Sequence, residues 1–136
     1  MRIIVIDGQG GGIGRSIVER LKMEAPGAEV IAVGTNSLAT SAMIRAGANA
    51  GATGENAVIY NCSRADIITG PIGIILANSM LGEITADMAL AVAESCAEKV
   101  LVPVSKCHVR VAGMEEKPIS KYIEETVTII KQICGL

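Results

Sequence analysis

Aromatic side chains are nearly absent from this chain of 136 residues, which contains two tyrosines and neither phenylalanine nor tryptophan. Proteins that bind single-stranded nucleic acid stack bases on aromatic side chains, so a stacking platform of that kind is excluded. Hydrophobic residues still make up 50% of the chain. That share excludes a disordered or low-complexity protein and predicts a core built from Ile, Val, Leu, Ala and Met.

The chain also lacks an excess of positive charge and a long apolar segment. Its 12 basic and 14 acidic residues give a net charge of -2, so we expect no nucleic-acid partner. The longest uncharged run, residues 67–82, is broken by Pro71 and three glycines and is shorter than the roughly 20 apolar residues of a membrane helix. Asp7 interrupts the N-terminal apolar run, which argues against a signal peptide. We therefore expect no membrane partner and a cytoplasmic location.

Metal-binding patterns are missing as well. Cys62, Cys96, Cys107 and Cys134 are isolated from one another, and the chain has a single histidine. A structural zinc site needs close pairs of such ligands. The sequence therefore predicts no metal site and four buried, reduced cysteines.

What the chain does contain is an alternation of apolar runs and helical stripes. Strands are predicted at residues 2–6, 29–33, 57–60, 67–69 and 99–104, with residues 109–111 as a further edge strand. Helices are predicted at residues 13–24, 38–46, 86–97 and from Pro118 onward. Residues 48–54 are predicted to be a loop, and residues 72–81 fit either a strand or a helix.

Strands that are apolar on both faces and alternate with helices indicate a parallel sheet covered on both sides. We therefore predict the α/β class: one three-layer, Rossmann-like domain over residues 1–136, with a mostly parallel sheet of five or six strands. The simplest expected strand order is 3-2-1-4-5.

A cluster of five glycines separates the first strand from the first helix, where the sequence reads Asp-Gly-Gln-Gly-Gly-Gly-Ile-Gly from position 7 to position 14. Glycine lets the backbone approach a ligand, and a helix N-terminus offers free N–H groups and about half a positive charge, which suits a phosphate. A purely architectural turn, which needs only one or two glycines, is the alternative. The candidate binding residues are Gly8, Gln9, Gly10, Gly11, Gly12, Ile13 and Gly14.

The register of these glycines resembles a known family. Gly8, Gly12 and Gly14 fit the pattern G-x-x-x-G-x-G, similar to the T-G-x-x-x-G-I-G turn of short-chain dehydrogenases and reductases, with Asp7 in place of the usual threonine. The likeness covers about the first 36 residues. It implies a nucleotide-binding site, with NAD(P) or another nucleotide as the cofactor.

The catalytic pair of that family, Y-x-x-x-K, has no match here. Tyr60 is followed four positions later by Arg64, and Tyr122 by Thr126. The glycine cluster together with the sequence Gly-Pro-Ile-Gly at positions 70–73 also resembles, over most of the chain, a family of short bacterial proteins of unknown function. That likeness implies no activity.

Two polar residues next to the glycine cluster are ambiguous. Asn36 follows the second strand, where dinucleotide sites place an acid for the ribose hydroxyls or a base for a 2′-phosphate. It either contacts a ribose or caps the next helix, and the choice between NAD and NADP as cofactor stays open. Asp7 either accepts N–H groups of the turn or marks a ligand other than pyrophosphate, bound through a ribose or a metal.

Two further segments should lie at the carboxyl edge of the sheet. Residues 70–73 are either a wall of the site or a structural turn. Lys106, Cys107 and His108 follow the last strand, and adjacent residues of an extended chain point to opposite faces. Cys107 and His108 are therefore not expected to form a catalytic pair.

The sequence favours a nucleotide-binding or sensing module. Two alternatives stay open: a small NAD(P)-dependent oxidoreductase acting as a dimer, and a subunit of a larger complex that binds no nucleotide. A small core without aromatics and a mean hydropathy of +0.46 predict apolar surface covered by a second copy, hence a homodimer.

Overall fold

Runs of β-branched residues form the centre of the sheet in the computed structural model, which describes residues 1–104 and 108–136. The strands are β1 (Arg2–Asp7), β2 (Glu29–Gly34), β3 (Ala50–Thr53), β4 (Ile67–Pro71) and β5 (Glu98–Val102). The helices are α1 (Gly12–Glu24), α2 (Ser37–Arg45), α3 (Glu55–Cys62), α4 (Ala86–Glu94) and α5 (Ile119–Ile133), with a short 3-10 helix at Ile72–Ile75.

The five strands pair in parallel in the order β3-β2-β1-β4-β5. This confirms the predicted α/β class and the expected strand order. The chain leaves β1 toward β2 on one side and returns to the other side of β1 as β4. The carboxyl ends of β1 and β4 therefore flank the point where the strand order reverses, the place where open α/β sheets bind their ligands.

The core has one layer on each face of the sheet. Alternate side chains of β1 divide between the layers: Ile3 and Val5 pack with α1 and α5, and Ile4 and Ile6 pack with α3 and α4. Every one of these four side chains is fully buried. At about 25 cal/mol per Å² of buried apolar surface, such branched side chains stabilise the sheet without any aromatic residue.

The segment between β2 and β4 differs from the prediction. Residues 57–60 form part of helix α3, in which Val58 and Cys62, four positions apart, are buried whereas Ile59 and Tyr60 are exposed. The third strand lies earlier, at Ala50–Thr53, in the segment predicted to be a loop. Its small side chains carry no apolar pattern, and pairing with β2 defines it instead.

Two other expectations were wrong. Residues 109–111 do not form a strand, so the described part of the chain has five strands and not six. Cys62 is buried, but Cys96 is exposed and Cys134 is intermediate, since the latter two lie in segments beyond the ends of α4 and α5. No helix within the described ranges is long and apolar enough to cross a membrane.

Candidate functional site: the glycine turn and the carboxylates that hold it

The glycine turn, residues 8–14, leads from β1 into the first turn of α1. The side chain of Asp7 holds it in place through two hydrogen bonds. The Asp7 carboxylate accepts the N–H of Gly8 at 2.8 Å with Oδ1 and the N–H of Gly14 at 2.7 Å with Oδ2. This confirms that Asp7 bonds the backbone of the turn. It holds the first turn of α1 in place, as the side chain of an N-cap residue would, whereas the N-cap position itself is Gly11, which has no side chain.

Three of the five glycines are required by the packing of the protein itself. A Cβ on Gly8 would lie 2.6 Å from Thr35 Oγ1, and one on Gly14 would lie 2.8 Å from Asp7 Cβ. Gly11 has a φ of 71°, and a Cβ on it would lie 2.8 Å from the Cα of Ala39. These buried positions let β1, α1 and α2 approach one another closely.

The other two glycines face outward. Gly10 and Gly12 are exposed, and a Cβ on either would meet no atom within 4 Å. Among the described residues, neither N–H has a hydrogen-bond acceptor. Nothing in the packing of the protein requires glycine here, and the two N–H groups remain free for a ligand at the positive end of α1.

The two non-glycine residues of the turn, Gln9 and Ile13, contact the rest of the protein in different ways. Ile13 is half-buried, and its side chain packs against the core layer of α1. Gln9 is exposed, with a left-handed φ of 49°. Its N–H and its carbonyl are both bonded to the protein, to Glu83 and to Asn36 respectively.

Glu83, which no sequence motif singles out, lies directly against the turn. Its Oε1 accepts three hydrogen bonds, from the Gln9 N–H at 2.8 Å, the Thr35 hydroxyl at 2.6 Å and the Asn36 side-chain amide at 2.8 Å. The same oxygen is 3.1 Å from the position of a Cβ on Gly8. One glutamate oxygen therefore joins the turn after β1 to the residues that follow β2.

The Glu83 loop, residues 76–85, is held in this position by contacts on both sides of Glu83, at Ile84 and at Ser79. Ile84 is fully buried in the core layer of α4, and its N–H and carbonyl pair with Ser79 and Asn78. The Ser79 hydroxyl donates to the carbonyl of Gly73. Met80 and Leu81 have left-handed φ angles of 56°, a conformation that costs non-glycine residues roughly 1–2 kcal/mol each.

Asn36 has the helix-capping role that was one of its two predicted roles. Its Oδ1 accepts the N–H of Ala39 at 2.9 Å, and its amide donates to the Gln9 carbonyl at 2.9 Å and to Glu83. These bonds occupy the side chain with protein partners. Asn36 thus acts on the site by positioning Glu83 and the turn.

The pKa values of Asp7 and Glu83 are shifted in opposite directions. Burial raises the pKa of Asp7, the N–H groups of Gly14 and Gly8 oppose that shift, and the charge of Glu83 adds to it. The Thr35 hydroxyl and the Gln9 N–H lower the pKa of Glu83. Glu83 is therefore ionised at neutral pH, on the same turn that offers N–H groups to a ligand.

The remaining candidates lie around this site. Gly70 is buried in β4, where a Cβ would be 2.1 Å from the Ile6 carbonyl oxygen, which favours the structural interpretation of residues 70–73. Lys106 and Cys107 lie outside the described residues. His108 is exposed and lines an open cleft of about 550 Å³ with the Glu83 loop. Within the described ranges, no group of three His, Cys, Asp or Glu side chains could hold a metal ion.

Comparison with known protein families assigns nearly the whole chain to one of them. Residues 2–135 match the model of a family described as a domain of unknown function, DUF3842. The chain belongs to the DUF3842 family. No curated protein matches it. This agrees with the predicted likeness to an uncharacterised family, and membership of DUF3842 assigns no activity.

One solved structure similar to the chain is that of a dodecameric FMN-dependent Ubix-like decarboxylase from Escherichia coli O157:H7. The TM-score is 0.46 at 17% sequence identity, covering 100% of this chain and 95% of that chain.

Proposed function

We propose that the protein binds a nucleotide or dinucleotide at the glycine turn and acts as a binding or sensing module. The observation that supports this most directly is the pair of outward-facing glycines, Gly10 and Gly12, which have open space where a Cβ would be and N–H groups that no described residue accepts. A phosphate there would accept those N–H groups at the start of α1. The turn also lies at the reversal of strand order, where ligands of open α/β sheets bind.

The proposed cofactor is NAD(P) or another nucleotide, and a binding role is favoured over a reductase by the positions of the two tyrosines. Tyr122 is buried and its hydroxyl donates to the carbonyl of Glu115. Tyr60 lies in the last turns of α3, with the Arg64 guanidinium 4.3 Å from the centre of its ring. Because the chain runs from α3 to the amino end of β4, Tyr60 lies toward the amino edge of the sheet, whereas the glycine turn lies at the carboxyl edge.

The test is a thermal-shift and calorimetry panel on the purified protein with NAD, NADP, their reduced forms, ATP, GTP, FMN, S-adenosylmethionine and inorganic phosphate. A ligand at 100 times its Kd adds about 2.7 kcal/mol to the free energy of unfolding. We expect at least one nucleotide to bind. If none binds to the folded protein, the proposal is wrong and a subunit of a larger complex becomes the better hypothesis.

The variant that locates the site is Gly12→Asp. An aspartate in the first turn of a helix is favourable for folding, but it puts negative charge where the phosphate would lie. We expect it to weaken nucleotide binding more than tenfold. Gly27→Asp is the matched control, because Gly27 also has open space around it and lies between α1 and β2, beyond the far end of α1. Equal binding by the two variants would contradict a site at the turn.

Assembly as a homodimer is part of the same proposal. Large apolar side chains are exposed on several elements, including Met23 on α1, Leu38 on α2 and Leu90 on α4. Covering such surface with a second copy would remove it from water. Light scattering coupled to size-exclusion chromatography measures the mass directly, and a monomer at micromolar concentration would contradict this part of the proposal.

A further inference from the structure

The Glu83 carboxylate uses its two oxygens unequally. Oε1 accepts all three hydrogen bonds that hold the side chain, from Gln9, Thr35 and Asn36. Oε2 accepts none from any residue that the structure describes. The anchored oxygen fixes the carboxylate in place, and the second oxygen remains available to a hydrogen-bond donor from outside the protein.

The position of this carboxylate matches a functional requirement that the segment after β2 does not meet. Dinucleotide-binding sheets place an acidic side chain at the end of β2 for the ribose hydroxyls, or a basic one for a 2′-phosphate. Residues 34–37 are Gly-Thr-Asn-Ser and provide neither. Glu83 comes from the loop after β4, yet its Oε1 contacts the side chains of Thr35 and Asn36.

We infer that the Glu83 carboxylate accepts hydrogen bonds from the 2′- and 3′-hydroxyls of the ligand's ribose. Glu83 thereby selects nucleotides with both hydroxyls free, such as NAD, over 2′-phosphorylated nucleotides, such as NADP. This inference rests on the proposed function. A vicinal diol supplies the hydrogen-bond donors that a carboxylate oxygen needs. A 2′-phosphate supplies negative charge and no such donor, so it is repelled.

The distribution of charge over the turn supports the same division of the site. Glu83 lies at the start of the turn, where it faces Gly8 and accepts the Gln9 N–H, whereas the buried Asp7 uses its two oxygens on the N–H groups of Gly8 and Gly14. The N–H groups without an acceptor among the described residues belong to Gly10 and Gly12, farther along the turn. A ligand can therefore place its ribose against Glu83 and its phosphates against Gly10 and Gly12, so that the like charges are separated.

The first experiment uses the wild-type protein alone and compares its Kd for NAD, NADP, AMP and 2′-deoxy-AMP by calorimetry. We expect NAD to bind about tenfold or more tightly than NADP, the size of one lost hydrogen bond to a charged group. We expect 2′-deoxy-AMP to bind more weakly than AMP. Equal or tighter binding of NADP overturns the inference and leaves the proposed function standing. The absence of any nucleotide binding overturns both.

The second experiment measures the same constants for Glu83→Gln, which keeps the shape and the anchored oxygen but removes the charge. We expect the preference for NAD over NADP to fall about tenfold, with weaker NAD binding and stronger NADP binding. Glu94→Gln is the matched control, because Glu94 is exposed at the last residue of α4, the end opposite Thr85 and the Glu83 loop. It should leave the ratio unchanged.

A different result for Glu83→Gln would identify a different role. If the variant bound NAD and NADP more tightly by the same factor, Glu83 would be a competitor of the ligand for the turn, and the inference would be overturned. An unchanged ratio would overturn it as well. If the variant does not fold, the wild-type comparison of AMP with 2′-deoxy-AMP decides, because it needs no substitution.

Discussion

The carboxylate of Asp7, the last residue of β1, accepts the N–H of Gly14, the third residue of α1, at 2.7 Å. This hydrogen bond spans the glycine turn and joins strand to helix within the protein itself. The turn is therefore held in shape before any ligand arrives, which lowers the entropic cost of binding. The contact also explains why residue 14 is a glycine, because a Cβ there would lie 2.8 Å from Asp7 Cβ.

Substitution of the glycines should separate those required by packing from those facing a ligand. Gly14→Ala forces Asp7 and Met43 apart, since a Cβ would lie 2.6 Å from Met43 Sδ, and should lower the free energy of unfolding by about 1–3 kcal/mol. Gly12→Ala meets nothing within 4 Å and should leave stability equal or up to about 1 kcal/mol higher. Urea unfolding measures both. Equal losses would contradict this assignment.

Asp7 should make stability depend on pH in a defined direction. Burial raises the pKa of Asp7 in the folded protein. Its contribution is then fully present below the unfolded-state pKa and is lost as pH rises through the folded-state pKa. The free energy of unfolding of the wild type, minus that of Asp7→Asn, should fall from acidic toward neutral pH and then level off. A difference that grows with pH would show that the N–H groups of Gly8 and Gly14 outweigh the burial.

The central part of the fold could be predicted because its signals are local. Four β-branched residues followed by glycines specify β1 and the turn, and Ile17 and Leu21 mark the buried stripe of α1. Capping of α2 was one of the two roles predicted for Asn36, and its side chain accepts the Ala39 N–H, as an N-cap residue does. These features depend on residues a few positions apart, so the sequence contains them directly.

The rest depends on contacts between distant segments. Strand β3 consists of the small residues Ala50–Thr53 and exists because β2 offers a free edge. Glu83 reaches the turn across 74 positions of sequence, from Gln9. The signal that was available is an acidic residue in the segment after β4, because that segment leaves the sheet at its carboxyl edge, where ligands bind. No local pattern specifies its partners.

The cysteines should differ in reactivity according to burial. Desolvation raises the pKa of the Cys62 thiol to about 11, so its thiolate is scarce near neutral pH. Cys96 is exposed. Brief treatment of the native protein with iodoacetamide, followed by peptide mass spectrometry, should label Cys96 and leave Cys62 unmodified until denaturant is added. Rapid native labelling of Cys62 would show that α3 opens from the sheet.

Thr69 should be a site where removing a polar atom stabilises the protein. Its hydroxyl is fully buried in β4, between Val5 of β1 and Val100 of β5, and no partner for it exists in the described part of the chain. Thr69→Val keeps the shape and removes the unpaired hydroxyl. We expect the free energy of unfolding to rise by about 1 kcal/mol.

The control for Thr69 is another buried threonine whose hydroxyl has a partner. Thr126 in α5 donates to the carbonyl of Tyr122 at 2.7 Å, so Thr126→Val removes a made hydrogen bond and should lose up to about 1 kcal/mol. Urea unfolding measures the effect of both variants on the free energy of unfolding. The same hydroxyl-to-methyl change is then compared at a threonine without a described partner and at one with a partner. A loss at Thr69 equal to that at Thr126 would show that the Thr69 hydroxyl has a partner, such as a buried water.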